Sequence, residues 1–261
     1  MYIMFTDETN RRPSRDRRFF VYGGLLFPIE HLSTIHDHIE KIRNEAGYRP
    51  TDILKFDTHS RPEHVSRDQA TEAKRQIVSL CNELGCKFIA HIILHDIIRN
   101  QDPVQQVRWA ADYVIGRYNK YLEEVEDIGI CVVDNLPNGT EFRYLVDKFS
   151  VGLDLPDGRH IPLDRIKLFA STRIGASHAH SAMDIVLGSF RYVINNPRNL
   201  QAASTMIKQV AEMMWAYEKD GVRYVRDRGL IIRPPLENIR SRAYRSEYEN
   251  LLRQLGELTN S

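Results

Sequence analysis

The stretch that decides the fold is YIMFTDE, residues 2–8. A short run of mostly apolar residues leads directly into two adjacent acids, Asp7 and Glu8. Runs of this kind are typical of strands that are buried on both faces. The stretch therefore predicts a first strand whose carboxyl end carries two carboxylates.

Strands and helices follow in alternation along the next part of the chain. Strands are predicted at 2–6, 19–27, 87–96, 128–134 and 166–172, and helices at 31–47, 66–84, 103–126, 140–149 and 178–193. Strands that alternate with helices favour parallel pairing, whereas the first two strands, joined by a polar connection, favour an antiparallel pair. We expect an α/β domain over residues 1–196, with a mixed five-stranded sheet flanked by helices. Residues 197–261 are predicted to form a C-terminal helical extension packed on it.

Composition and charge exclude several classes of protein. Of 261 residues, 42% are hydrophobic and 27% are charged, as is usual for a soluble globular protein. The formal net charge is +1, so the whole chain has no basic excess to indicate nucleic-acid binding. Three cysteines are too few for a disulfide framework or a zinc site. Because the sequence shows neither a signal peptide nor a membrane span, we expect a cytoplasmic protein with no membrane partner.

Acidic residues follow the strands at positions that favour a shared site. Asp7 ends the first predicted strand, Asp134 ends the fourth, and Asp184 lies on the helix after the fifth. If the first and fourth strands are parallel neighbours, Asp7 and Asp134 lie side by side at the edge where open α/β sheets bind ligands. The following helix then brings Asp184 to the same edge.

Three converging carboxylates repel one another unless cations lie between them. A set of oxygen ligands suits Mg²⁺ or Mn²⁺, and we expect Asp7, Asp134 and Asp184 as the metal ligands. Two such ions activate a water and stabilise the leaving oxygen of a phosphodiester. The pattern thus predicts a metal-dependent nuclease. The alternative for each acid is an ordinary turn residue after a strand.

Five short motifs, in this order, resemble a known family. They are FTDETN (5–10), FVYGGL (20–25), LKF (54–56), VVD (132–134) and SAMDIVLG (181–188). Over roughly residues 1–195 the chain resembles the bacterial family called domain of unknown function 3800. Two positions depart from the family pattern, since Thr9-Asn10 replaces Ser-Gly and Ser181 replaces Gln.

The resemblance implies a ribonuclease H-like fold and nuclease activity, with roles in defence against phages or mobile elements. It also implies that Lys55 contacts the scissile phosphate, and the alternative is a surface lysine. Glu8, beside Asp7, is a further candidate catalytic residue. The Ser181 departure leaves open whether catalysis survives.

Other residues are candidates from their positions alone. His180 shares a helical face with Asp184, so it is a candidate ligand or proton donor. The alternative for His180 is a solvated start of the helix. Asp57 and Asp112 are weaker candidates for a fourth carboxylate.

Basic residues are dense in two places. They are Arg11, Arg12, Arg15, Arg17 and Arg18 near the first strand, and Arg223, Arg226, Arg228, Arg233, Arg240, Arg242 and Arg245 near the C-terminus. Such clusters supply phosphate contacts with little sequence readout, so we expect DNA or RNA as the partner. The alternative is a solvated surface that nearby acids balance.

Two other functions remain open at this stage. The chain is either a nuclease or a non-catalytic module that binds nucleic acid or protein and retains the ribonuclease H-like fold. A weaker option is phosphotransfer or hydrolysis of nucleotides. The C-terminal helices are a candidate surface for a homodimer.

Overall fold

The structure is a computed structural model that describes residues 1–9, 18–134, 139, 141–155, 158–195 and 208–259. In chain order the strands are β1 (Tyr2–Thr9), β2 (Phe19–Pro28), β3 (Lys87–Leu94), β4 (Gly129–Asp134), β5 (Leu153–Asp154), β6 (His160–Ile161), β7 (Ile166–Thr172), β8 (Tyr217–Lys219), β9 (Val222–Tyr224) and β10 (Leu230–Ile232). The helices are α1 (Leu32–Glu45), α2 (Arg67–Glu83), α3 (His95–Ile98), α4 (Pro103–Glu124), α5 (Glu141–Ser150), α6 (His178–Asn195) and α7 (Arg242–Thr259). A further helical segment covers 208–213.

Six strands form the central sheet, in the order β10-β3-β2-β1-β4-β7. β2 is antiparallel to both β1 and β3, whereas β1–β4, β4–β7 and β3–β10 are parallel pairs. The predicted mixed α/β sheet, with an antiparallel first pair and a parallel portion, is therefore confirmed. β5–β6 and β8–β9 form two small separate hairpins.

The sheet has one strand more than the five that the sequence predicts. The sixth strand, β10, contains only Leu230, Ile231 and Ile232, and all three are buried. Three residues are too few to show a strand period, which explains why the sequence pattern missed it. The C-terminal part is thus not purely helical, because it adds a strand to the central sheet as well as α7.

Helices cover both faces of the sheet. Helices α1, α2 and α6 pack on one face, here called the α6 face, and α4 and α5 pack on the other, the α4 face. Alternate side chains of β1 supply the two cores, with Phe5 on the α6 face and Met4 on the α4 face. β2 lies between β1 and β3 and is covered on both faces, so all ten of its residues are buried.

Two adjacent glycines let the helices approach β2 closely. A Cβ at Gly23 would lie 2.9 Å from Leu187 of α6, and a Cβ at Gly24 would lie 2.6 Å from Met4 and 3.0 Å from Val114 of α4. The pairing of β2 with both neighbours is regular through these positions. The glycines therefore serve the packing of the two helix layers rather than a bulge.

The described helices include none with the length and apolar character that a membrane crossing requires.

One buried residue of the α4 face is a histidine without a hydrogen-bond partner. His91 on β3 is 3% exposed, and within the described residues neither of its ring nitrogens has a partner. Its ring stacks on Tyr113 of α4 with centroids 5.1 Å apart. Burial, assisted by the nearby charge of Arg233, lowers the pKa of His91 to about 3.

We expect His91 to make the fold sensitive to acid. Below the ordinary histidine pKa of about 6.5, His91 binds a proton in the unfolded chain but stays neutral in the folded chain. Each unit of decrease in pH therefore lowers the free energy of unfolding by about 1.4 kcal/mol. This loss continues until the pH reaches the folded pKa of about 3. The His91→Phe variant keeps a ring that can stack on Tyr113, and its free energy of unfolding should lose this part of its dependence on pH.

Urea unfolding at several pH values between about 6 and 4.5 measures the slope. Replacing the exposed His38 by Gln is the matched control, since it removes a histidine that the core does not bury. If stability depends on pH equally in His91→Phe and the wild type, His91 is not the source of the acid sensitivity.

Candidate metal centre

The pairing of β1 with β4 places two acids side by side. Thr6 is paired with Val133 in the parallel register, and Asp7 and Asp134 are the next residue on each strand. Side chains at equivalent positions of paired strands point to the same face. Phe5 and Val132, two residues earlier on each strand, both belong to the core of the α6 face, so Asp7 and Asp134 also point to that face.

Helix α6 brings a histidine to these acids. His180 is 1% exposed, and its ring stacks on Phe5 with centroids 6.1 Å apart. One oxygen each of Asp7 and Asp134 and one ring nitrogen of His180 all lie within 4.8 Å of one another. The predicted approach of Asp7 to Asp134 is confirmed. The alternative for His180, a solvated start of the helix, is wrong, because α6 packs this residue against the sheet.

The surroundings of His180 favour its neutral form. Burial lowers the pKa of His180, while the carboxylate of Asp134 and a hydrogen bond with the backbone of Arg173 oppose the shift. The Nε2 atom lies 4.0 Å from Oδ1 of Asp134, which is beyond hydrogen-bond distance. A buried neutral imidazole with an unused lone pair is a ready metal ligand.

Asp184 lies beside this cluster but is not one of its three members. Its Oδ2 accepts a hydrogen bond of 2.6 Å from the backbone N–H of Phe56. Burial raises the pKa of Asp184, and the Phe56 amide and the charges of Lys55, Arg191 and His180 oppose the rise. The structure thus brings His180 to Asp7 and Asp134 in the place where the sequence predicts Asp184, because the Phe56 amide holds the Asp184 carboxylate.

The segment that carries Phe56 is clamped between two helices. Lys74 of α2 is buried, and its Nζ donates to the Phe56 carbonyl at 2.7 Å and to Thr58 Oγ1 at 3.2 Å. The Phe56 ring lies so close to α6 that a Cβ at Gly188 would be 2.1 Å from its Cγ. The motifs around Lys55 and Asp184 therefore meet in space, because Gly188 leaves room for Phe56 one turn beyond Asp184.

The other predicted catalytic residues, Lys55 and Glu8, have different positions. Lys55 is half-buried, and its charge acts on both Asp184 and His180. Glu8 donates its backbone N–H to Oδ1 of Asp7 at 2.7 Å. Since side chains alternate along a strand, the Glu8 side chain points to the α4 face, away from His180.

Asp57 and Asp112, the weaker candidates, have structural partners instead. Asp57 accepts the backbone N–H of His59 at the start of a short 3₁₀ helix. Asp112 lies on α4, across the sheet, where it accepts the Tyr144 hydroxyl at 2.7 Å and pairs with Lys148 at 3.3 Å. Neither aspartate belongs to the cluster around His180.

Ser181, which departs from the family pattern, is buried beside the cluster. It lines a cavity of about 350 Å³ together with Arg43, Asp52, Ile53 and His178. A serine at this position thus borders an open space, which a longer side chain would partly fill.

Of the five N-terminal arginines, the structure describes Arg18. Arg11, Arg12, Arg15 and Arg17 lie outside the described residues. Arg18 forms ion pairs with Asp96 at 3.5 Å and Glu247 at 2.6 Å.

Three groups near the centre were missed by the sequence analysis: the Phe56 amide, Lys74 and Arg191. The Arg191 guanidinium lies over the Phe56 ring, 5.4 Å from its centroid. The spacing of Asp184, Gly188 and Arg191 places them on one face of α6, and this signal was readable from the sequence. The role of the Phe56 amide, which lies in a distant loop, could not be predicted from the sequence.

Comparison of the sequence with models of known protein families finds no match, and no curated protein matches it either. The resemblance to the domain of unknown function 3800 therefore stays a prediction.

We expect Gly188→Ala to destabilise the fold, because the new methyl group displaces Phe56 from α6. Overpacking of this kind costs about 1–3 kcal/mol. Gly116→Ala on α4 is the matched control, since its Cβ would meet only Leu153, at 3.1 Å. The control should destabilise the fold less than Gly188→Ala, because Leu153 need shift by only a few tenths of an ångström and helix propensity favours alanine by up to about 1 kcal/mol. Chemical denaturation compares the two, and an equal effect in both would contradict the role of Gly188.

Proposed function

We propose that this protein is a metal-dependent nuclease that hydrolyses phosphodiester bonds of DNA or RNA. The observation that carries the proposal is the convergence of Asp7, Asp134 and His180 from β1, β4 and α6 within 4.8 Å. Defence against phages or mobile elements, which the resemblance implies, is the role that we attach to this activity.

The topology supports a ribonuclease H-like fold. Of the six strands in the central sheet, only β2 runs against the others. The first strand lies in the interior of the sheet, with an acid at its carboxyl end and β4 beside it. This arrangement fits the fold and the family that the sequence motifs resemble.

The side chains present fit a divalent metal ion. A cation would offset the repulsion between the two adjacent carboxylates, and the buried His180 ring offers a nitrogen ligand at the same point. Asp7, Asp134 and His180 would hold the ion, which when bound activates a water for attack on a phosphodiester. Carboxylates suit Mg²⁺ and Mn²⁺, whereas imidazole prefers transition metals, so we propose Mn²⁺ ahead of Mg²⁺.

Neighbouring side chains supply charge for the substrate. Lys55 and Arg191 place two positive charges near Asp184, whose carboxylate the Phe56 amide orients. We propose that Lys55 binds a phosphate of the substrate, while Asp184 orients Lys55 and His180 through its charge. The His180 imidazole lies over the Phe5 ring, with centroids 6.1 Å apart.

We expect Asp7→Asn and Asp134→Asn to weaken Mn²⁺ binding by roughly 100-fold or more, since even outer residues of metal sites contribute 10- to 100-fold. Isothermal titration calorimetry with MnCl₂ measures the affinity. Asp57→Asn is the matched control, because it removes an exposed carboxylate that lies outside the cluster. Equal Mn²⁺ affinity in the Asp7→Asn variant and the wild type would refute the metal centre.

We also expect the wild type to cleave DNA or RNA with Mn²⁺ or Mg²⁺ and Asp7→Asn to leave the substrate intact. Labelled single- and double-stranded DNA and RNA, separated on denaturing gels, report cleavage. Ca²⁺ should support binding without turnover. The same cleavage by Asp7→Asn and the wild type would show contamination and overturn the mechanism.

Mn²⁺ binding at Asp7 and Asp134, together with nucleic-acid binding but no cleavage of any substrate, would favour the alternative function. The chain would then be a binding module that retains the fold.

A further inference from the structure

A second site lies on the α4 face of the sheet, on the side away from His180. It is a cavity of about 320 Å³ between α4 and the β5–β6 hairpin. Its basic and aromatic lining comprises Tyr113, Arg117, Lys120, Arg159 and Arg233, and its apolar wall comprises Leu153, Leu155 and Ile161. The volume is at the lower end of the range for small-molecule pockets.

The two acids in the described lining are already neutralised. Asp112 pairs with Lys148 at 3.3 Å and accepts the Tyr144 hydroxyl. Glu123 accepts bonds from Asn119 at 2.9 Å and from Lys120 at 3.2 Å. These acids therefore do not balance the arginines of the cavity.

Two arginines of the cavity, Arg117 and Arg233, share one carboxylate with Arg226, which is not part of the lining. Asp227 lies 3.3 Å from Arg233, 3.7 Å from Arg117 and 3.8 Å from Arg226. One negative charge thus serves three guanidinium groups, although Arg226 also lies 3.5 Å from Glu237. Among the described groups, the region beside Arg117 and Arg233 has a positive excess.

The cavity holds its charges in fixed positions. Arg233 donates to the carbonyl of Ile232 at 2.8 Å, and its guanidinium lies 5.2 Å from the centre of the Tyr113 ring. Tyr113 in turn stacks on the buried His91. Burial and the charges of Arg233 and Arg228 lower the pKa of Arg117, so they disfavour its charged form. An anion bound beside Arg117 would offset this effect.

We propose that this cavity binds a small phosphate monoester through Arg117 and Arg233, with the organic part of the ligand against Leu153 and Ile161. A monoester carries nearly two negative charges at neutral pH, which match two guanidinium groups. A phosphodiester within a nucleic-acid strand carries one charge. The inference does not rest on the proposed nuclease activity, because the two sites lie on opposite faces of the sheet.

Titration of the full chain with inorganic phosphate, phenyl phosphate and dimethyl phosphate tests the proposal. EDTA is present throughout, so that no metal ion at Asp7 and Asp134 contributes. Phosphate and phenyl phosphate should bind, with phenyl phosphate the tighter, and the diester should bind at least about tenfold more weakly. In Arg117→Gln the affinity for phenyl phosphate should fall by roughly 10- to 100-fold, the value of one charge-assisted hydrogen bond.

The matched control is Arg75→Gln, which removes the same charge from an exposed ion pair with Glu72 on α2. It should bind as the wild type does. Arg233→Gln provides a second variant, with its melting temperature checked because Arg233 also bonds the backbone. No binding of phosphate or phenyl phosphate to the wild type, equal binding of the diester, or unchanged affinity in Arg117→Gln would overturn the proposal. None of these outcomes bears on the nuclease centre, which requires a divalent metal ion.

Discussion

The parallel pairing of β1 with β4 is the constraint on which the rest of the molecule depends. Parallel neighbours require a long crossover, and the chain between these strands supplies β2, β3 and the helices that bury both faces of the sheet. The pairing places Asp7 and Asp134 at adjacent positions with their side chains on one face. Repulsion between two carboxylates so close together destabilises the folded state. The fold nevertheless keeps them together at the edge of the sheet where α6 adds a buried imidazole.

Local patterns predict the sheet well wherever a strand is long and apolar. Asp7 and Asp134 could be expected as neighbours if β1 and β4 pair in parallel, because the carboxyl ends of parallel strands meet at the same edge of the sheet. The third member of the cluster could not, because the choice between His180 and Asp184 depends on tertiary contacts. A bond from the Phe56 amide to Asp184 joins residues 128 positions apart, and no local pattern reports it. The sixth strand of the sheet, β10, could not be predicted because its three residues are too few to show the period of a strand.

The two faces of the sheet have different electrostatic characters. On the α6 face, two acidic side chains and a buried imidazole converge near the carboxyl end of β1. On the α4 face, Arg117 and Arg233 accumulate positive charge beside a cavity. Packing separates these groups, since the fully buried β2 lies in the layer between the helices of each face. A net charge of +1 for the chain therefore conceals two regions of opposite sign.

The position of β10 has a consequence for how the protein is made. β10 pairs with β3, and Tyr248 of α7 accepts the backbone N–H of Leu94 at the end of the same strand. Both partners come from the last part of the sequence. During synthesis, β10 cannot pair with the outer edge of β3 until Leu230–Ile232 have left the ribosome. Until then the nascent chain exposes an unpaired strand edge that other chains could bind.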